Sequence, residues 1–270
     1  MNAITTVAPI LVRREGPVLV LAIHTPGKRN ALSPGLFDAL TEALASAAND
    51  ATVGAVVLTG ADGYFCSGGD LNTLATRRLL TPEERREKLE GLHGLVRLLR
   101  DFPKPIVAAV EGGAAGAGLS MALGCDLLVA ARDATFSVAY VKVGLTPDGG
   151  ATSFLAQVLP RQFLTEMCLT GDRIGAERLH ALGVVNRLTE PGGADVEAIA
   201  LATRLAGGPE QAMARIKTLC REAVSSTLDA QLDREAEFMV EAQGSAESAA
   251  GIDAFLAKQT PDFTRLRGPR

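Results

Sequence analysis

The 270-residue sequence has no tryptophan, two tyrosines and only 4% aromatic residues. Its three histidines and four cysteines are too few and too scattered for a metal centre. Cys66, Cys125, Cys168 and Cys220 form no CxxC pair, and there is no HExxH run. Free, mostly buried thiols in a reducing compartment are the expectation. No segment runs eighteen residues without polar interruption, and Met1–Pro9 has no basic stretch leading into an apolar one. Neither a membrane span nor a secretion signal is expected, and a cytoplasmic location is. Positive charge is not in excess: 27 Lys and Arg against 31 Asp and Glu leave −4, which argues against nucleic acid or acidic lipid as a partner. An anionic ligand would have to be held locally, at a spot such as Lys28-Arg29. GxGxxG, GxxxxGK[ST] and GxSxG are missing as well, so dinucleotide, phosphate-loop and nucleophile-elbow chemistry have no support.

What is present is an ordinary globular balance, 47% apolar and 21% charged. Apolar runs of strand length stand at Val18–Ile23, Ala55–Leu58, Ile106–Val110 and Asp126–Ala130, separated by longer stretches with helical spacing. This alternation predicts parallel βα units and an α/β class. Ser33-Pro34 predicts the cap and first residue of a helix ending near Asn49, and Thr81-Pro82-Glu83-Glu84 predicts a capping box. Beyond Ala151 the pattern turns helical at Ala176–Leu182, Val196–Leu205, Pro209–Glu222, Leu228–Gln243 and Ala246–Lys258, with one short apolar run at Val184–Leu188. Residues 1–195 are therefore expected to form the core and 196–270 a helical C-terminal region.

Two glycine-rich loops follow strands, Phe65-Cys66-Ser67-Gly68-Gly69-Asp70-Leu71 and Glu111-Gly112-Gly113-Ala114-Ala115-Gly116-Ala117-Gly118. Small residues at strand ends let main chain approach a ligand, and free N–H groups at a helix start stabilise negative charge. Each loop alone reads first as a turn or a packing site. Together they could converge on one oxygen.

Four motifs in order, Pro26-Gly27-Lys28-Arg29-Asn30-Ala31-Leu32, Cys66–Leu71, Gly112–Gly118 with Cys125-Asp126, and Leu169-Thr170-Gly171-Asp172-Arg173-Ile174, resemble the crotonase (enoyl-CoA hydratase/isomerase) superfamily over nearly the whole chain. The resemblance implies the crotonase (ClpP-like) fold of repeated ββα units with a C-terminal helical trimerisation region. It also implies an acyl-CoA thioester as partner, coenzyme A arriving as part of the substrate with no permanently bound cofactor, and a homotrimer or dimer of trimers. Carried over by position, the main-chain N–H groups of Gly69 and Ala117 form the oxyanion hole, where one donor is worth about 3–4 kcal/mol in the transition state. Lys28, Arg29, Ala31, Ser67, Asp70 and Leu71 are then CoA contacts. Phe255 and Lys258 join them from the last helix, alongside the plainer reading of Lys258 as solvated surface. Asp70 orients its own loop rather than moving protons.

Hydratases of this family carry two glutamates whose positions are Ser120 and Tyr140 here, so both become pocket residues without a carboxylate. Neither is a base near neutral pH. The candidate base is Asp148 in Gly144-Leu145-Thr146-Pro147-Asp148-Gly149-Gly150. The stretch from Phe136 to Asp148 resembles the epoxyphenylacetyl-CoA isomerase branch and Δ3,Δ2-enoyl-CoA isomerases, where one acidic residue acts alone. Asp before Gly-Gly and an apolar run is also what a helix N-cap looks like. Double-bond isomerisation, on a fatty or phenylacetate-derived acyl group, is the leading expectation. Hydration, dehalogenation, thioester hydrolysis and non-catalytic acyl-CoA binding are the alternatives. The lack of tryptophan counts against a dehalogenase pocket for an aromatic acyl group.

Overall fold

The computed structural model describes residues 5–7, 9–33 and 35–267. Its strands in chain order are β1 (Thr5–Val7), β2 (Ile10–Glu15), β3 (Val18–Ile23), β4 (Ala55–Gly60), β5 (Ile106–Val110), β6 (Gly113–Ala115), β7 (Leu127–Ala131), β8 (Thr135–Ser137), β9 (Ile174–Gly175) and β10 (Arg187–Thr189). Seven make one sheet in the order β1-β2-β3-β4-β5-β7-β10, antiparallel from β1 to β3 and parallel from β3 onward. Strands β6, β8 and β9 make a second, smaller sheet.

The helices are α1 (Leu36–Asn49), α2 (Leu71–Arg77), α3 (Pro82–Asp101), α4 (Ala117–Leu123), α5 (Ala151–Ala156), α6 (Arg161–Thr170), α7 (Ala176–Ala181), α8 (Ala194–Ala206), α9 (Glu210–Glu222), α10 (Leu228–Gln243) and α11 (Ala246–Leu256). The central strands are apolar at nearly every position because both faces are covered. Successive side chains point to opposite faces. Leu19, Leu21, Ile23, Val56 and Leu58 therefore meet Leu36, Leu40 and Leu44 of α1 and Leu92, Leu95 and Leu99 of α3. Val18, Val20, Val57 and Val107 meet Ala194, Ala198, Leu201, Ala202 and Ala206 of α8, whose small residues let it lie close to the sheet.

The capping box at Thr81 is present: its hydroxyl accepts from the Glu84 N–H at 3.2 Å, and the Glu84 carboxylate accepts from the Thr81 N–H at 2.8 Å. Helix α1 begins later than Ser33-Pro34 implied. Its N-cap is Gly35 at φ 79, no side chain caps it, and Pro34 lies outside the described residues. The expected boundary at 195/196 falls inside α8, which is a layer of the core; α9 is the first helix beyond that layer. Helix α11 stops at Leu256, so Lys258, at φ 54, follows it in a left-handed turn. Among the described residues no helix is long and apolar enough to cross a membrane.

Lys217 of α9 is anchored in the core. Its ammonium donates to the carbonyls of Phe102 and Lys104, each at 2.7 Å, and pairs with Asp126 at 2.6 Å. Burial lowers the Lys217 pKa and raises that of Asp126, and their mutual attraction opposes both changes. Lys104, fully buried, donates to the Ala47 and Asp50 carbonyls and so caps the end of α1.

Candidate active site

The chain between β4 and α2 runs beside the chain between β5 and α4. Cys66 bridges Ala114 in parallel, the Cys66 N–H donates to the Gly113 carbonyl at 3.3 Å, and the Ala115 N–H donates to the Cys66 carbonyl at 3.0 Å. Gly68 sits at φ 90, and a methyl group there would stand 2.7 Å from the Ala115 carbonyl oxygen and 3.5 Å from the Ala117 nitrogen. Only glycine allows this approach. Gly116 (φ 52, ψ −128) turns the second chain so that Ala117 opens α4. Among the described residues, neither the Gly69 nor the Ala117 N–H donates to an acceptor within the chain. For Ala117 the cause is its place in the first helical turn, where no helical carbonyl is in reach. Ala117 is almost fully buried, and unpaired buried donors are costly, so the pair is suited to receiving an oxyanion.

Beside α4 and Gly116 the structure gathers Ser120, Tyr140 and Asp148. Tyr140 lies in a 3-10 turn, Ala139–Val143, and its ring passes the donor loop: a methyl group on Gly116 would lie 3.7 Å from Tyr140 Cζ. The Tyr140 hydroxyl donates to Asp148 Oδ1 at 2.6 Å and lies 3.4 Å from the Asp148 main-chain oxygen. The Ser120 hydroxyl donates to that same main-chain oxygen at 2.9 Å. Burial first, then the negative charge and hydrogen bond of Asp148, push the Tyr140 phenol far above its ordinary pKa. It stays protonated and donates.

Asp148 is not a helix cap. The cap of α5 is Gly150, at φ 83 and without a side-chain bond, and only the main-chain carbonyl of Asp148 accepts from Ala151. Gly149, at φ 61, lets the loop lie against α4 and α3; a methyl group there would stand 2.9 Å from Ser120 Cβ and 3.2 Å from Leu92. Leu74 of α2 overhangs the first donor, 3.0 Å from where a Gly69 methyl would be. Sequence reasoning missed Leu74 and Leu92. For Leu92 the apolar stripe of α3 was the available signal.

The expected CoA contacts divide into two groups. Lys28, Arg29, Ala31, Ser67, Asp70 and Leu71 come together on one edge. The Ser67 N–H donates to the Arg29 carbonyl at 3.0 Å, the Ser67 hydroxyl to the Lys28 carbonyl at 3.1 Å, and the Leu32 N–H to the Gly68 carbonyl at 2.8 Å. The Lys28 ammonium meets Asp70 at 2.6 Å, while Asp70 also accepts from the Asn72 and Thr73 N–H groups and caps α2. The bond from Lys28, followed by those two N–H groups, holds the Asp70 carboxyl below its ordinary pKa. Asp70 thus orients its loop. The Arg29 guanidinium lies over the Tyr64 ring at 5.6 Å, and Leu71 is largely exposed. Buried Asn30 fixes this turn by donating to the Ala61 and Tyr64 carbonyls, a structural role that sequence reasoning did not assign. Phe255 and Lys258 form the second group, exposed at the end of α11, a helix whose Glu247 accepts from the first N–H groups of α9.

A cleft of about 360 Å³ is bounded by Ser67 and Ala115, next to the donors, and by Arg29, Tyr64, Lys142 and Arg173; Asp148 is not among its walls. The thiol of Cys66, buried beneath the first loop, is pushed up to about 12 by burial, partly opposed by the Gly68 N–H. It is no nucleophile.

Two unpaired main-chain N–H groups thus lie on adjoining loops, and the loop that carries Asp148 is joined to α4 through Ser120. The chain belongs to the enoyl-CoA hydratase/isomerase family, whose model matches residues 13–266. It is similar to the 1,2-epoxyphenylacetyl-CoA isomerase of Escherichia coli strain K12, 36% identical and covering 94% of this chain and 98% of that protein. It is as similar to a probable enoyl-CoA hydratase of Rhodobacter capsulatus, 36% identical over 91% of this chain and 93% of the other. Among solved structures, an enoyl-CoA hydratase from Polaromonas sp. JS666 superposes with a TM-score of 0.92 at 44% identity, covering 94% and 98% of the two chains.

Proposed function

We propose that this protein is an enoyl-CoA isomerase, moving a double bond from the β,γ to the α,β position of an acyl-CoA thioester. The observation that carries this reading is the carboxylate of Asp148, held by Tyr140, whose ring lies against Gly116, the residue before Ala117. Asp148 takes a proton from C2 and becomes a carboxylic acid. The electrons pass to the thioester oxygen, stabilised by the Gly69 and Ala117 N–H groups, and the dienolate takes the same proton back at C4. No atoms are gained or lost, and no water is activated.

Hydration would need a carboxylate to hold and activate water. Position 120 offers instead a hydroxyl already committed to the Asp148 main chain. The similarity to the E. coli isomerase favours the same reading. Lys28 and Arg29 would contact the anionic end of CoA, with Phe255 and Lys258 reaching it from a neighbouring copy in a trimer. The exposed Ile216, Leu228, Leu232 and Val240 of α9 and α10 supply apolar surface for that assembly, whose mass light scattering would measure.

The test follows the ultraviolet absorbance of the conjugated thioester formed from a 3-enoyl-CoA. Asp148→Asn is expected to lower kcat by about 10²–10⁴-fold, the range for loss of a general base, with CoA affinity retained. Equal rates for the variant and the wild type would remove Asp148 from the mechanism. Conversion by neither would turn attention to hydration, dehalogenation and thioester hydrolysis.

A further inference from the structure

We propose that Tyr140 is a positioning residue that selects which oxygen of Asp148 carries the proton: by occupying Oδ1 it leaves Oδ2 as the single carrier between C2 and C4. This rests on the isomerase reading above and adds a division of labour within the carboxylate. A free aspartate side chain rotates and presents either oxygen. Here the phenol bonds Oδ1 at 2.6 Å, and the main chain behind the carboxylate is fixed by the Ser120 hydroxyl. The two bonds come from different elements, the 3-10 turn and α4, so backbone and side chain of Asp148 are pinned separately. Among the described residues no donor is recorded on Oδ2.

The surroundings favour a fixed donor. The charged side chain adjoining Tyr140 on its own turn, Lys142, is turned to Asp172 at 2.9 Å. Ser120 and Leu92, facing the loop from α4 and α3, do not titrate, and the charged residues of α6, Arg161 and Glu166, are exposed. The Tyr140 ring also lies against Gly116, the residue before Ala117, which limits its movement. Once Oδ2 has taken the C2 proton, the acid cannot turn that oxygen to solvent without breaking the bond from Tyr140. The proton's shortest route is to C4 of the same dienolate.

The experiment uses a 3-enoyl-CoA deuterated at C2 and measures kcat, KM and the fraction of label found at C4 of the product. The wild type is expected to carry a measurable fraction across. Tyr140→Phe, lacking one oxygen atom, is expected to lose at least half of that fraction and roughly 10- to 100-fold in kcat, with KM within about twofold; misplacing a reacting group by about 1 Å costs up to about 100-fold. A purely structural role would not change the partition of the label. Wild-type kcat and label retention in Tyr140→Phe would overturn the inference while leaving Asp148 as base, provided Asp148→Asn is inactive. A wild type that transfers no label overturns it without any variant. An active Asp148→Asn would instead overturn the isomerase reading beneath it.

Discussion

Replacing Gly68 by alanine tests the proposed convergence of the two donor loops without substituting either donor residue. The new methyl group would stand 2.7 Å from the Ala115 carbonyl oxygen, where ordinary contact begins at 3.4 Å, so the loops must part by about 0.7 Å. At φ 90 the residue also pays for a conformation that side chains disfavour, about 1–2 kcal/mol. The bonds that register the loops, Ala115 N–H to the Cys66 carbonyl and Cys66 N–H to the Gly113 carbonyl, lie within three residues of the substitution. A 0.7 Å displacement takes a donor from about 2.9 Å to beyond effective range of the developing oxyanion, and one such donor is worth about 3–4 kcal/mol. Steady-state kinetics of the Gly68→Ala variant on a 3-enoyl-CoA should therefore show kcat lowered about 10²–10³-fold, while urea unfolding shows a loss of only about 1–2 kcal/mol. A kcat within twofold of wild type in a folded variant would refute the claim that Gly69 and Ala117 act on one oxygen.

Lys217→Met is expected to destabilise the protein by about 3–5 kcal/mol in urea unfolding, because it leaves Asp126 buried without its cationic partner and removes the bonds to the Phe102 and Lys104 carbonyls; a loss under 1 kcal/mol would mean that α9 is held otherwise. Tyr140 sets an alkaline limit. Its folded-state pKa is raised, so the stability it contributes is fully present below the unfolded phenol's value of about 10 and falls as pH rises above it. Urea midpoints between pH 9 and 11.5 should therefore decline more steeply for the wild type than for Tyr140→Phe, and parallel curves would contradict the assignment.

The central sheet was legible in sequence because its strands are buried on both faces. Val18–Ile23 and Ile106–Val110 are continuous apolar runs, and the strands occupy those same residues. Strand β2, Ile10–Glu15, escaped notice because Arg13, Arg14 and Glu15 break the run; Arg13 pairs with Asp195 and Glu15, and Arg14 donates to Thr52, at the sheet's antiparallel end. The three strands of the small sheet are only two or three residues long, too short for periodicity to register, and tertiary pairing alone defines them. Capping followed the same division. Thr81 acts within four residues and was readable, whereas the caps of α8 and α9 come from Glu111 and Glu247, which stand 83 and 36 residues from the N–H groups they hold.

Asp148 shows why the site needed the fold. In sequence, an aspartate before two glycines and an apolar run satisfies the local requirements of a helix cap, and only the resemblance of Phe136–Asp148 to single-carboxylate isomerases favours a base. Two consecutive left-handed residues, Gly149 at φ 61 and Gly150 at φ 83, turn the chain between the aspartate and α5, so its carboxylate leaves the helix axis. What receives it is Tyr140, eight residues earlier and brought back by a 3-10 turn that ends at Gly144 with φ 69. The glycines that made Asp148 resemble a cap are the residues that prevent it from being one. Had Asp148 capped α5, its carboxylate would have been committed to the helix N–H groups. Bonded through one oxygen to a phenol that burial keeps protonated, it has no donor on the other oxygen among the described residues, as the proposed proton transfer requires.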